Sequence, residues 1–77
     1  MIYLEPRKSL DNAIIGEEDG VLIYSYTLLV EQYIEMDGDT NKDDAYRRAV
    51  DHIEYNILGT HMRGWPIIQE DLGAYYE

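Results

Sequence analysis

The residues of this chain that carry chemistry are its acids and two histidines, and one short run has the spacing of metal ligands. Asp37-Gly38-Asp39-Thr40-Asn41 places oxygen ligands at alternate positions, as the opening of an EF-hand calcium loop does. The match then fails. The sixth position, where a sharp turn needs glycine, is Lys42, and the twelfth, where a bidentate glutamate belongs, is Arg48. A helix also opens inside the would-be loop, so no dedicated calcium site is expected. Zinc has little to bind: the chain has no cysteine, and its only histidines are His52 and His61. His52 with Asp51 and Glu54 lacks the i, i+4 pair that sets two ligands on one helical face. His52 is expected at the core edge of a helix and His61 in a loop. Paired carboxylates with separated pKa values could perform glycosidic acid–base chemistry. In a chain with sixteen acids, however, two close carboxylates carry no information. A domain this small can hardly enclose a ligand pocket of the usual ~300 Å³ or more. Ser25 has no nucleophile-elbow context, and there is no glycine-rich phosphate loop. The expectation is a protein without catalytic residues, cofactor or metal.

Charge is the strongest compositional signal. Sixteen acids face six bases, for a net charge of −10 over 77 residues. Such a surface repels nucleic-acid phosphates and anionic membranes, and speeds encounter with a basic partner. Acids also keep a small protein soluble and monomeric, which is the plainer explanation of the same excess. With no cysteine, disulfides cannot staple the fold. A domain of this size buries only about 60% of the surface its unfolded chain exposes. The start, Met1 to Pro6, has an acid and a proline where a leader's apolar run would lie, so no signal peptide is expected. No stretch approaches the ~20 apolar residues of a spanning helix. A cytoplasmic protein is expected.

The elements that must position these residues are legible as changes of period. Residues 1–8 alternate briefly and stop at Pro6, as a short edge strand or loose arm. Ser9-Leu10-Asp11-Asn12 predicts a single helical turn capped by Ser9. Ile14-Ile15 and Val21 to Tyr24 predict a hairpin about Asp19-Gly20. Tyr26, Leu29, Val30, Tyr33 and Ile34 then recur at helical spacing to about Met36, with Ser25 as cap and Gly38 as terminator. A second helix is predicted from Thr40, with Asp43 completing a relative of the capping box, to Gly59. Ala45, Ala49, His52, Ile53, Asn56 and Ile57 share its apolar face. Its outer face offers Asp43/Arg47, Asp44/Arg48 and Arg47/Asp51 pairs four apart, each worth roughly 0.2–0.5 kcal/mol. Pro66 leads into a last strand at Ile67-Ile68, and 70–77 is expected to be a loose tail. The whole is one α+β domain, 1–77, in the order β-β-α-α-β. About three short strands form a small antiparallel sheet, with two antiparallel helices on one face.

Helix pairing would neutralise the acids of the second helix and leave those of 17–19, 31–39 and 70–77 uncompensated. Eight tyrosines, one tryptophan and no phenylalanine place amphipathic rings at the core margin or in contact surfaces. Trp65, beside Arg63 and Gly64, either anchors an interface or folds back over the core. Asn56 is expected to satisfy a backbone group. Candidate protein contacts are Glu31, Tyr33, Glu35, Asp37, Asp39, Trp65, Tyr75 and Tyr76.

Leu10-Asp11-Asn12-Ala13-Ile14-Ile15-Gly16 and His52-Ile53-Glu54-Tyr55-Asn56-Ile57-Leu58-Gly59 resemble a family of small uncharacterised proteins of tailed bacteriophages. The family pattern is an acid-A-I-I-G segment, a strand, a tyrosine-led helix, an A-x-E/D-x-I-E-Y/F-N helix ending in glycine, and a P-I pair. Ser25 to Met36, Ala45 to Gly59 and Pro66-Ile67 fill those places, so the resemblance covers most of residues 9–68. It departs at His61-Met62-Arg63 and in a longer tail after Ile68. The resemblance implies a viral protein working in the host-cell cytoplasm and carries no activity. With the charge, it gives the expectation of an accessory protein that binds a basic or nucleic-acid-handling protein, as an inhibitor or a mimic of DNA charge. The alternatives are a structural or assembly component acting as a homodimer or larger homo-oligomer through the helix pair, and a minimal enzyme with His52 and two acids in a deep pocket.

Overall fold

The computed structural model describes residues 1–70. They form an α+β domain: α1 (Arg7–Leu10) with a 3-10 turn (Asp11–Ala13), β1 (Ile14–Glu18), β2 (Val21–Ser25), α2 (Tyr26–Asp37), α3 (Lys42–His52) continued by a π-helical turn (Ile53–Ile57), and β3 (Ile67–Gln69). Of the expected loose tail only Glu70 is among the described residues.

The hairpin forms because its turn chemistry and its strands agree. Asp19 and Gly20 both take positive φ, 51° and 79°, the two-residue geometry whose twist matches that of paired strands. The antiparallel ladder runs from Glu18↔Val21 to Ile14↔Tyr24 with a bulge between Ile14 and Gly16. Leu22 and Tyr24 on β2 point into the core, and Val21 and Ile23, which alternate with them, are only half-buried.

β3 pairs with β2 in parallel, Ile23↔Ile67 to Ser25↔Gln69, so the three-stranded sheet is mixed, in the order β1-β2-β3. The all-antiparallel sheet expected from the sequence is corrected on this point. Parallel neighbours need a crossover of a dozen or more residues, and the helical stretch between β2 and β3 supplies it. Pro66, buried just before β3, sits where its missing N–H interrupts no ladder.

The first long helix starts and stops where local chemistry dictates. The Ser25 hydroxyl accepts a hydrogen bond from the Leu28 N–H at 3.1 Å, a cap worth about 1 kcal/mol. Gly38, at φ 72°, closes α2 with its N–H on the Ile34 carbonyl. Two other caps differ from expectation. The first turn begins at Arg7 behind Pro6, whose carbonyl accepts from Ser9 and Leu10. α3 is capped by Asn41, not Thr40: Asn41 Oδ1 accepts from the Asp44 N–H at 3.2 Å, while Asp39 Oδ1 holds the Asn41 N–H at 2.9 Å. The Asp39 carboxylate fixes the residue before the helix and moves the cap one position on.

One core joins these elements. Leu10, Ala13, Leu22, Tyr24, Leu29, Val30, Ala49, Ile53 and Ile57 pack together. Each fully buried leucine or isoleucine contributes roughly 1.5–3 kcal/mol over its exposed state. α2 packs against β2, and α3 packs against α2. The 1–8 segment is neither an edge strand nor free. Leu4 is 4% exposed, and its N–H donates to the Tyr24 hydroxyl at 2.9 Å.

Candidate functional site

The site is a groove over the α2–α3 seam, built around two rings in tilted contact. Tyr33 of α2 and His52 of α3 lie with centroids 4.7 Å apart and planes tilted by 50°. They meet because Ala45 and Ala49, both buried, bring α3 close against α2. His52 is exposed on its other side. Burial pushes the Tyr33 phenol above its ordinary pKa.

A shallow cavity of about 270 Å³ lies on one side of this pair, lined by Tyr33, Met36, Asp37, Arg48, Ala49 and His52. Its rim is a charge clasp. Arg48 bonds both oxygens of Asp37, Nε to Oδ2 at 2.8 Å and Nη2 to Oδ1 at 2.9 Å, and Nη2 also reaches Asp39 at 2.7 Å. Those bonds hold the Asp37 carboxyl below the usual range. Asp39 is lowered first by the Asn41 N–H and then by Arg48. The two acids with calcium-loop spacing thus already have a cation, and it is the side chain at the twelfth position of that loop.

A second cavity, about 340 Å³, lies on the other side, lined by Tyr3, Leu4, Glu5, Tyr33, His52, Asn56, Ile57 and Trp65. Three structural details shape it. The helix widens into a π turn, with the Leu58 N–H on the Ile53 carbonyl at 2.8 Å. Gly59 follows because a Cβ there would stand 2.7 Å from the Tyr55 carbonyl oxygen. Trp65 then turns back, and its indole Nε1–H donates to the Ile57 carbonyl at 2.9 Å, beside the Thr60 N–H at 3.3 Å. The tryptophan caps the helix end and packs half-buried against the core. The N-terminal arm closes the cavity, and Arg7 stacks 3.5 Å over the Tyr3 ring while pairing with Asp11.

Asn56 Nδ2 donates to the His52 carbonyl at 3.2 Å and faces His52 Nδ1 at 3.3 Å. The amide nitrogen thus finds its partners on its own helix.

The expected contact residues separate into groups. Tyr33 and Trp65 meet in the second cavity, and Tyr33 and Asp37 in the first. Asp37 and Asp39 are paired with Arg48, which removes them from the uncompensated acids. The expected i, i+4 pairs of α3 do not form; Arg47 lies 4.0 Å from Asp44, three residues away, and Arg48 leaves its own helix. Glu31 and Glu35 stand exposed on α2, away from both cavities. Tyr75 and Tyr76 lie outside the described residues. Tyr3, Glu5 and Arg48 were not anticipated; the stop at Pro6, which folds the arm back, was the available signal for the first two. Among the described residues no group of three or more histidine or acidic side chains is arranged to hold a metal ion, and no helix is long and apolar enough to cross a membrane.

Site and fold together define a small α+β domain with an aromatic surface groove. No protein-family model matches the chain, and no curated protein or solved structure matches it.

Proposed function

We propose that the chain is a small acidic protein-binding protein of phage type, acting in the host cytoplasm on a basic or nucleic-acid-handling protein. The observation that carries this reading is the set of carboxylates left without a cation. Glu17, Glu18 and Asp19 crowd the hairpin tip, and Glu31 and Glu35 stand one turn apart on α2. All are exposed, and among the described residues none lies in an ion pair. Crowded like charges destabilise the fold that carries them, and their field raises the encounter rate with a cationic surface. The reading assigns no catalytic step.

The test is capture of partners at low and high salt by the wild-type chain and by a variant with Glu17→Gln, Glu18→Gln, Asp19→Asn, Glu31→Gln and Glu35→Gln. A basic protein held by the wild type at low salt and lost by the variant supports the reading. Equal retention of the same proteins by both chains at every salt would remove it. Release of the partner by duplex DNA would narrow the reading to mimicry of DNA charge.

A homo-oligomeric component is the second reading, and the exposed isoleucines of the outer strands favour it. Tyr26, Leu29 and Val30 of α2 are buried, whereas Ile15 and Ile67 on the two outer strands are 46% and 43% exposed. A stable dimer at micromolar concentration, broken by Ile67→Lys, would support it.

A further inference from the structure

We propose that the cavity between the N-terminal arm and the end of α3 takes a lysine or arginine side chain from the partner protein. The inference rests on the reading above and adds where, and by what chemistry, the partner's cation is held. Four rings line this one cavity, those of Tyr3, Tyr33, Trp65 and His52, with Leu4, Ile57 and Glu5 beside them. Ring faces are electron-rich and attract a side-chain cation placed over them. The Trp65 N–H is already used on the Ile57 carbonyl, so what this residue offers a ligand is its ring. Apolar Leu4 and Ile57 suit the methylene stem of a long basic side chain, whose charged head stays near water. Glu5 is exposed and in no ion pair among the described residues, which supplies the counter-charge. The same chemistry is already in use next door. The Tyr3 ring carries the Arg7 guanidinium at 3.5 Å, and Arg7 is not among the residues that line the cavity. An anionic ligand is disfavoured by Glu5 and by the net charge of −10.

Trp65 is the sole tryptophan, so its emission reports on this cavity directly. The experiment titrates a tryptophan- and tyrosine-free peptide of alternating arginine and glycine into the whole chain at low salt. Calorimetry and Trp65 emission are followed in parallel, with a glutamate–glycine peptide as control. A saturable emission change with the basic peptide alone, weakened about tenfold in Glu5→Gln and in Tyr3→Ala, is the expected result. Glu5→Gln alters an exposed side chain and keeps the arm's packing, so it decides the matter if Tyr3→Ala loosens the fold. Calorimetric binding with unchanged Trp65 emission and with full affinity in Glu5→Gln would overturn the cavity assignment and leave acidic recognition standing. Absence of any basic-peptide binding would overturn both. Saturable binding of phosphocholine without peptide binding would reassign the cavity to a small quaternary ammonium.

Discussion

Arg48 on α3 forks onto Asp37 at the end of α2, with both guanidinium bonds at 2.8–2.9 Å. The contact ties the two helices across their turn, and a third bond to Asp39 extends it into the cap of α3. It also redistributes charge: two acids that looked free are neutralised, and among the described residues Glu5, Glu17, Glu18, Asp19, Glu31, Glu35, Asp43, Asp51, Glu54 and Glu70 are the acids in no ion pair.

Replacing Arg48 with methionine should therefore act through Asp37 and Asp39. Both carboxyls are held below their ordinary value of 3.8 in the folded chain. A depressed folded pKa gives stability that is present above the unfolded value and lost as pH falls through the folded one. The wild type should melt slightly above Arg48→Met at neutral pH, by a small margin because the clasp is exposed. The two melting curves should converge as pH drops well below 3.8. Persistence of the gap in acid would mean that Arg48 acts by packing alone.

The Leu4 N–H depends on the Tyr24 hydroxyl, which accepts it in a fully buried setting. Tyr24→Phe keeps the ring and strands that donor, at a cost of about 1–3 kcal/mol. Denaturant midpoints should fall accordingly, and amide exchange at Leu4 should accelerate before exchange in β2 does.

Trp65→Phe removes one of two donors from the Ile57 carbonyl and leaves the Thr60 N–H in place. The loss should be about 0.5–1.5 kcal/mol from the bond, read from chemical unfolding followed by circular dichroism. A neutral substitution would show that the indole N–H does not cap the helix.

Alkaline pH should destabilise the fold through one buried and one half-buried phenol. Burial raises Tyr24 and Tyr33 above 10.0. A raised folded pKa gives stability that is intact below the unfolded value and lost as pH rises through the folded one. Melting temperature should fall from about pH 10 upward, and Tyr33→Phe should blunt that fall without changing stability at neutral pH by more than a small amount.

What could be read from the sequence was what neighbouring residues decide among themselves. Asp19-Gly20 specifies its turn, Ser25 caps the helix that it precedes, and Gly38 ends it, because each acts within four residues. Val21 to Tyr24 was legible as a strand from its β-branched and aromatic residues, whereas only the fold shows Leu22 and Tyr24 to be its inward pair. The parallel pairing of β3 was not legible, because strand direction depends on the path of the intervening helices. Arg48 has Asp44 one helical turn behind it, and only the closed α2–α3 turn brings Asp37 and Asp39 nearer. The second cavity combines residues 3–5, 33, 52–57 and 65, and no local pattern relates an N-terminal arm to a helix end. Trp65 illustrates the division: its type left it either an interface anchor or a cover for the core, and the geometry folds it back as a helix cap whose ring also lines the groove.

The central claim, that unpaired carboxylates draw in a basic protein, is tested most directly by the association rate constant with the captured partner across a series of ionic strengths. The account predicts a steep fall with added salt, and a slower, flatter profile for the chain with Glu17, Glu18, Asp19, Glu31 and Glu35 neutralised. A rate indifferent to salt and to those substitutions would contradict it.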